Sequence, residues 1–233
     1  MDVIGNAILD YQNGNYSEDI ITFSSIAGED TIPLPYLFRD FSRMPILEQK
    51  ALQMCKGRIL DIGCGAGSHS LYLQQNSFEV IALDSSKGAI ETCRLRKIEN
   101  CIHSNIYDFG NQKFDTLLLL MNGIGIVGKL NRLNEFFQHL KTLLKHGGQI
   151  LLDSSDLMYM FDEDDDGARW IPESETYYGE INFTMTYKNH KSNPFSWLYL
   201  DPNTLKNAAN TNHLNCEIVR LGEHFDYLAR LTC

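Results

Sequence analysis

Three glycines at alternate positions, Gly63, Gly65 and Gly67, follow the apolar run Arg58–Ile62 and precede a helical stretch. Glycine lets a backbone turn sharply and approach a ligand closely. In an open α/β sheet, ligands sit outside the carboxyl ends of the strands, which is where this turn falls. A bare tight turn accounts poorly for three alternating glycines right after a strand. A dinucleotide turn wants G-x-G-x-x-G, with its third glycine further into the helix. Here the spacing is G-x-G-x-G, preceded by Asp61 and carrying Cys64. It provides less for a pyrophosphate at the helix start and suits a nucleoside without phosphate. Asp84 lies 21 residues beyond Gly63, at the end of the apolar run 78–83 and before Ser85-Ser86. An acidic side chain there can accept both hydroxyls of a ribose; the bland alternative is a solvated turn residue.

Strands and helices must hold those residues in place. Strands are expected at 58–62, 78–83, 101–103, 114–121 and 149–153, the fourth apolar enough to be buried on both faces. Helices are expected from Pro45 to about Lys56-Gly57, at 70–75, at 87–97 and at 130–144. Strand and helix alternating in this way predict a parallel sheet with helices on both faces. The first 30 residues are polar and glycine-broken, with only short helices expected, and Ile32-Pro-Leu-Pro35 reads as extended. Beyond Asp153 an irregular stretch over 154–178 leads to a hairpin of 179–188 and 195–200. A helix at 202–212 follows, and then strands 217–221 and 225–231. The last two are so closely spaced that they must pair antiparallel.

These residues resemble the class I S-adenosylmethionine (SAM)-dependent methyltransferases. Asp61-Ile-Gly-Cys-Gly-Ala-Gly67 is close to that family's first motif, and Asp84 matches its ribose-holding acid. Asn105-Ile106 sits where the family contacts adenine, although Asp is frequent there. Phe114-Asp115 and the strand to Met121-Asn122 look like its fourth motif. The likeness spans about 45–153 and again 202 to the end. Phe38-Arg-Asp-Phe-Ser-Arg-Met-Pro45 and Met-Asn-Gly-Ile-Gly125 resemble a subgroup of small bacterial methyltransferases. The resemblance implies a Rossmann-like, doubly wound, mostly parallel seven-stranded sheet with a reversed strand near one edge. It further implies SAM as cofactor, held by Asp61, Gly63, Cys64, Gly65, Gly67, Asp84, Ser85, Asn105, Ile106, Met121 and Asn122. The chain then reads as a single domain with a cap (1–44), a cofactor core (45–153), an inserted β-hairpin lid (154–201) and a closing unit (202–233).

Methyl transfer from a sulfonium is an in-line displacement with a neutral leaving group. Alignment and exclusion of water can supply most of the acceleration, so no catalytic dyad need be visible. Acceptor-side candidates are Arg39, a bidentate donor to a carboxylate or else a surface ion pair, and His69 at the start of the first core helix, facing cofactor or substrate or else a solvated helix residue. Asp153, Asp156 and Tyr159 follow the fifth strand, where ordinary loop polarity is the competing reading. Asn122 can position an acceptor or cap the next turn. Asn193-Pro-Phe195 is similar to the N-P-P-[YF] motif of amino-group methyltransferases, but it lies in the late hairpin and lacks a proline. The consecutive carboxylates of 162–166 repel one another and read as a solvated loop, so no metal is expected.

The 233 residues carry 30 acidic and 20 basic side chains, a net charge of −10, which disfavours nucleic acid and anionic membranes as partners. No apolar stretch approaches the roughly 20 residues of a membrane helix, and the amino terminus lacks a basic signal-peptide region. Six scattered cysteines without C-x-x-C pairs read as a reducing cytoplasm. The expectation is a cytoplasmic enzyme, monomer or homodimer, methylating a small molecule. The rivals are another SAM or decarboxylated-SAM user, such as an aminopropyl transferase, and a non-catalytic nucleotide-binding module.

Overall fold

A strand that is apolar on both faces has to lie inside a sheet covered on both sides. Phe114–Leu119 is such a strand, and it lies in the middle of the larger of two sheets. The computed structural model describes residues 2–161 and 176–233; the acidic run 162–166 and Trp170 lie outside the described residues. In chain order the elements begin with α1 (Val3–Gln12), β1 (Ile20–Ser24), β2 (Gly28–Ile32), α2 (Leu34–Leu37) and α3 (Ile46–Met54). Next come β3 (Arg58–Ile62), α4 (Ser68–Gln75), β4 (Glu79–Asp84), α5 (Lys87–Leu95), β5 (Cys101–His103), β6 (Phe114–Leu119), α6 (Leu133–Leu143) and β7 (Leu144–Ser155). The chain closes with β8 (Glu180–Tyr187), β9 (His190–Lys191), β10 (Phe195–Leu198), α7 (Pro202–Thr211), β11 (Asn215–Leu221) and β12 (Asp226–Thr232).

The larger sheet runs β5-β4-β3-β6-β7-β12-β11, and only β12 is reversed against its neighbours. This is the seven-stranded, mostly parallel, Rossmann-like sheet expected from the sequence. The chain winds outward from β3 to β5, then returns to β6 on the other side of β3. The strand order therefore reverses between β3 and β6, where such sheets open a ligand crevice. One face of the sheet packs Leu60, Leu117, Leu119, Ile150 and Leu152 against Phe136, Phe137, Leu140 and Leu143 of α6. The other packs Ile59, Leu118 and Leu151 against Leu47, Ala51 and Leu52 of α3. Each such side chain contributes about 1.5–3 kcal/mol when fully buried. Strand alternation then carries the second face from Ile59 to Asp61 and from Leu151 to Asp153, so it turns from apolar to acidic at the carboxyl end.

The smaller sheet runs β10-β8-β1-β2, with β9 paired to β8. The hairpin expected at 179–188 and 195–200 is present, but it does not stand alone: β8 pairs with β1 from the amino-terminal segment. That segment was expected to give only short helices and instead contributes α1 and a full β-hairpin. Its inward positions are Ile20, Thr22 and Ser24, two of them hydroxylated, so the period-two apolar signal is nearly erased. Pro33 is extended, as expected before a proline-containing turn, but Leu34–Leu37 forms one helical turn with Pro35 near its start, where a missing N–H costs little. No helix among the described residues is long and apolar enough to cross a membrane.

Helix α1 crosses α5 at two glycines. The Asp2 carboxylate accepts from Gly5 N–H of α1 at 3.0 Å, from Ser86 Oγ at 2.8 Å and from Gly88 N–H of α5 at 3.0 Å. One carboxylate thus caps two helix starts, each with a positive dipole end. A Cβ on Gly88 would overlap the Gly5 backbone. Gly88→Ala should therefore lower stability by about 1–3 kcal/mol, as overpacking does. Urea unfolding measures this; an unshifted midpoint would show that α1 does not need the close crossing.

Candidate functional site

All three loop glycines have positive φ: 75° at Gly63, 53° at Gly65 and 79° at Gly67. Side-chain-bearing residues rarely adopt this region, which is why glycine recurs here. The loop is fastened to β4: Gly63 N–H and Cys64 N–H both donate to the Leu83 carbonyl, at 2.8 and 3.1 Å. Gly67 opens α4, and a Cβ there would lie 2.7 Å from Cys93 Sγ. At Gly65 a Cβ would meet nothing within 4 Å. Gly67 is therefore glycine for packing, whereas Gly65 leaves open room beside the loop.

Asp84 ends β4 beside that room. One of its oxygens accepts from Gly65 N–H at 2.9 Å and the other from Ser86 N–H at 2.8 Å. Burial raises its carboxyl above the ordinary range, against the pull of those two donors. Asp61 is buried in β3 and accepts from Ser70 Oγ at 2.6 Å, so it fastens α4 to the strand before the loop. Cys64 is buried, with its sulfur 3.7 Å from Cys93 Sγ. Ser85 is exposed. Asn105, also exposed, follows β5 and caps its own 3-10 turn by accepting from Tyr107 N–H; Ile106 behind it is buried.

Met121 and Asn122 follow β6, both in the left-handed region at φ 60° and 54°. Backbone in this region persists where surroundings over-determine it, and it clusters at functional sites. Asn122 is held by three hydrogen bonds. Its N–H donates to an Asp153 oxygen at 2.8 Å, its amide NH₂ to the Leu198 carbonyl at 3.1 Å, and its amide oxygen accepts from Ser154 Oγ at 2.8 Å. The amide is thereby occupied in joining the two sheets. Met121 beside it remains 40% exposed.

Arg39 and His69 meet through a residue that the sequence reading passed over. Glu48, only 3% exposed, accepts from Arg39 Nη2 and lies 2.7 Å from His69 Nε2. Burial alone would raise the Glu48 carboxyl, but His69 and Arg39 outweigh it and hold it below the usual range. Burial likewise opposes charge on His69, and Glu48 and Asp61 overcome it, raising the imidazole above its usual value. The Arg39 guanidinium also donates to the Tyr36 carbonyl at 2.6 Å and lies over the Tyr36 ring. The ion pair that a surface reading would put in solvent is buried. The available signal was Glu48 itself, an acid on the stripe of α3 shared with Ala51 and Leu52.

Past Asp153, Asp156 caps a 3-10 turn by accepting from Met158 N–H and also accepts from Tyr178 OH at 2.8 Å. Tyr159 is 43% exposed and stacks on Phe225, ring centres 4.9 Å apart. Half-buried Asp153 sits near Glu48, and burial followed by the Glu48 charge pushes its carboxyl up to about 7.

The glycine loop after β3, the acid ending β4, and the left-handed turn after β6 thus share the carboxyl edge of a doubly wound sheet at its switch point. Fold and site together are those of an open, doubly wound α/β protein with a glycine loop and an acid at its switch point. A family model described as a methyltransferase domain matches residues 60–152. No curated protein sequence matches the chain. Among solved structures, a SAM-dependent methyltransferase from Bacteroides fragilis in complex with S-adenosyl-L-homocysteine is 45% identical, with a TM-score of 0.92. The match covers 99% of this chain and 94% of that one. The CcbJ methyltransferase from Streptomyces caelestis (14% identity, TM-score 0.60, 82% and 90% of the two chains) shares the fold. So does DesVI from Streptomyces venezuelae (15%, 0.55, 84% and 91%).

The chain belongs to the SAM-dependent methyltransferase family. It is an enzyme of that class with S-adenosylmethionine as its cofactor. The open space at Gly65 and the carboxylate of Asp84 facing the loop fit an adenosyl group.

Removing the Glu48 charge would leave Arg39 buried without a carboxylate. Glu48→Gln should cost about 3–5 kcal/mol of stability, the usual penalty for breaking one side of a buried pair. Chemical denaturation reads this out, and a loss below about 1 kcal/mol, the range of a surface pair, would mean the pair is solvated in solution.

Proposed function

We propose that this methyltransferase modifies a small molecule and that the glycine loop 63–67 with Asp84 holds the adenosyl part of SAM. The observation that carries this is the Asp84 carboxylate bonded to Gly65 N–H, beside space that no side chain fills. Ribose hydroxyls are donors to a carboxylate, and Asp84 is the acid at the edge of that space. Gly63 and Gly65 let the backbone come close, and Cys64 sits between them. Asp61 acts at one remove by fixing α4, whose start the loop forms. Ser85, Asn105 and Ile106 flank the adenosine, with Ile106 supplying the apolar wall. Bound there, SAM supplies a methyl group on a sulfonium, next to Met121 and Asn122.

The acceptor lies toward β6 and β7. Met121 forms part of its floor, and Asn122 keeps the turn in shape. Tyr159 and Asp156 line its far side. Arg39 and His69 hold Glu48, and through it the start of α3, against the crevice. The smaller sheet, made jointly by the cap (1–44) and the insert (154–201), covers the acceptor and excludes water. The acidic net charge fits a small-molecule acceptor better than nucleic acid, and the scattered free cysteines fit a reducing cytoplasm. The assembly is a monomer or a homodimer.

Isothermal calorimetry tests the site directly. S-adenosylhomocysteine should bind the full chain, and NAD should not. Asp84→Ala should weaken S-adenosylhomocysteine at least about tenfold, since a hydrogen bond to a charged group contributes about 1.5–3 kcal/mol. An undiminished affinity would remove Asp84 from the site.

A further inference from the structure

Asp153 stands where the acidic end of one sheet face reaches the acceptor side of the crevice. Strand alternation puts it on the face of Leu151, toward α3. One of its oxygens is fixed by Asn122 N–H at 2.8 Å. Apart from Asn122 and its own backbone N–H, no residue among the described residues donates to the Asp153 carboxylate, and the residue is only part-buried. Five charged groups gather here: Asp61 on β3, Glu48 on α3, His69 on α4, Arg39 before α3, and Asp153 itself. Three are acids and two are bases. Even with His69 and Arg39 both cationic the acids outnumber the bases by one, and burial opposes the charge on Asp61 and Asp153. The Tyr36 and Tyr199 side chains lie within range of the Asp153 charge, and Tyr36 is 42% exposed.

We infer that Asp153 binds and deprotonates the acceptor, and that the acceptor is a small molecule carrying a primary or secondary amine. The inference rests on the crevice reading above. A carboxylate near tyrosine side chains suits an alkylammonium, held by an ion pair. An anionic acceptor would be repelled by the surplus acid, and an aliphatic alcohol is too weak an acid to yield its proton to a carboxylate. The step balances. The ammonium N–H bond breaks as an O–H bond forms on Asp153, and the electron pair stays on nitrogen. Nitrogen then takes the methyl group, and the positive charge of the sulfonium passes to the methylated nitrogen. Asp153 returns the proton to solvent. Burial and Glu48 push the Asp153 carboxyl up to about 7, which suits a base at neutral pH.

The test uses the full chain with SAM carrying a trideuterated methyl group and a total small-molecule extract of bacterial cells. Mass spectrometry finds the labelled products, and fragmentation locates the label. The label is expected on nitrogen; a label on oxygen, sulfur or carbon, or no labelled product, overturns the proposal. With the labelled acceptor, Asp153→Asn should lower kcat/KM at least about a hundredfold. It should also abolish the rise of kcat/KM with pH through neutrality, because the rise reports loss of the Asp153 proton. The variant keeps an oxygen for Asn122 N–H, so its S-adenosylhomocysteine affinity and melting temperature should match wild type. Wild-type kinetics in the variant overturn the proposal. Failure of wild type to bind S-adenosylhomocysteine would sink the crevice reading instead, and calorimetry separates the two.

Discussion

Glu48 is a carboxylate with almost no water, and the geometry around the crevice follows from the need to neutralise it. Taking one carboxylate out of solvent costs several kcal/mol unless partners replace its hydration. Here the partners come from two directions in sequence: Arg39 from the segment before α3, and His69 from the first turn of α4. Satisfying one charge therefore fixes the cap, helix α3 and the helix that the glycine loop opens. The network is incomplete at one point, since Arg39 Nε is buried without a partner among the described residues. Such an arrangement is a weak source of net stability but a strong constraint on shape. A site that works by alignment needs the constraint more than the stability.

The turn after β6 shows the same trade. Two consecutive side-chain-bearing residues, Met121 and Asn122, are held in the left-handed region. Each costs of order 1 kcal/mol or more, which the surroundings must offset. The offset is the set of three bonds to Asn122, which reach β7, Ser154 and the end of β10. Close by, Trp197 of β10 lies so tightly on Gly125 that a Cβ there would overlap the indole. The smaller sheet is thus clamped to the larger one beside the crevice, by an amide and by a ring over a glycine.

How much of this was legible in the sequence depended on whether the local signal and the tertiary role agreed. The core strands are apolar because they are buried on both faces, so 58–62 could be read directly and 114–121 was read two residues beyond the observed Leu119. The glycine loop could be read because positive φ demands glycine. The short turn implied only that β11 and β12 pair antiparallel; that one of them is reversed in the sheet was implied by the family resemblance. The hairpin β1–β2 was hidden because its inward face is Thr22 and Ser24, and its outward face includes Ile21 and Phe23, the latter 55% exposed. That inverts the usual pattern, and its long-range support comes from pairing with β8, more than 150 residues away, and from burial of Ile20. Asn122 was read evenly as acceptor contact or cap. Its side chain does not cap its own turn, because its partners Leu198 and Ser154 are remote in sequence. Arg39 and His69 were individually visible, but their shared partner was not, since a single acid on a helix gives no sign of what approaches it.

The change of character along one face of the sheet links fold to chemistry. Ile59, Leu118 and Leu151 bury the face against α3, and two residues further on Asp61 and Asp153 continue it. A parallel sheet leaves its carboxyl edge uncovered by the next strand, so polar residues can be afforded there while the middle stays dry. Between the two acids Leu120 is still buried, which keeps water out of the space between them. Burial accordingly raises both carboxyls, and the His69 charge offsets part of that rise at each. The alternation that makes β7 a core strand also delivers a half-buried carboxylate to the edge of the crevice. Its position is dictated by the packing of Leu151 against α3 two residues earlier, and its chemistry by the charges that packing brings together.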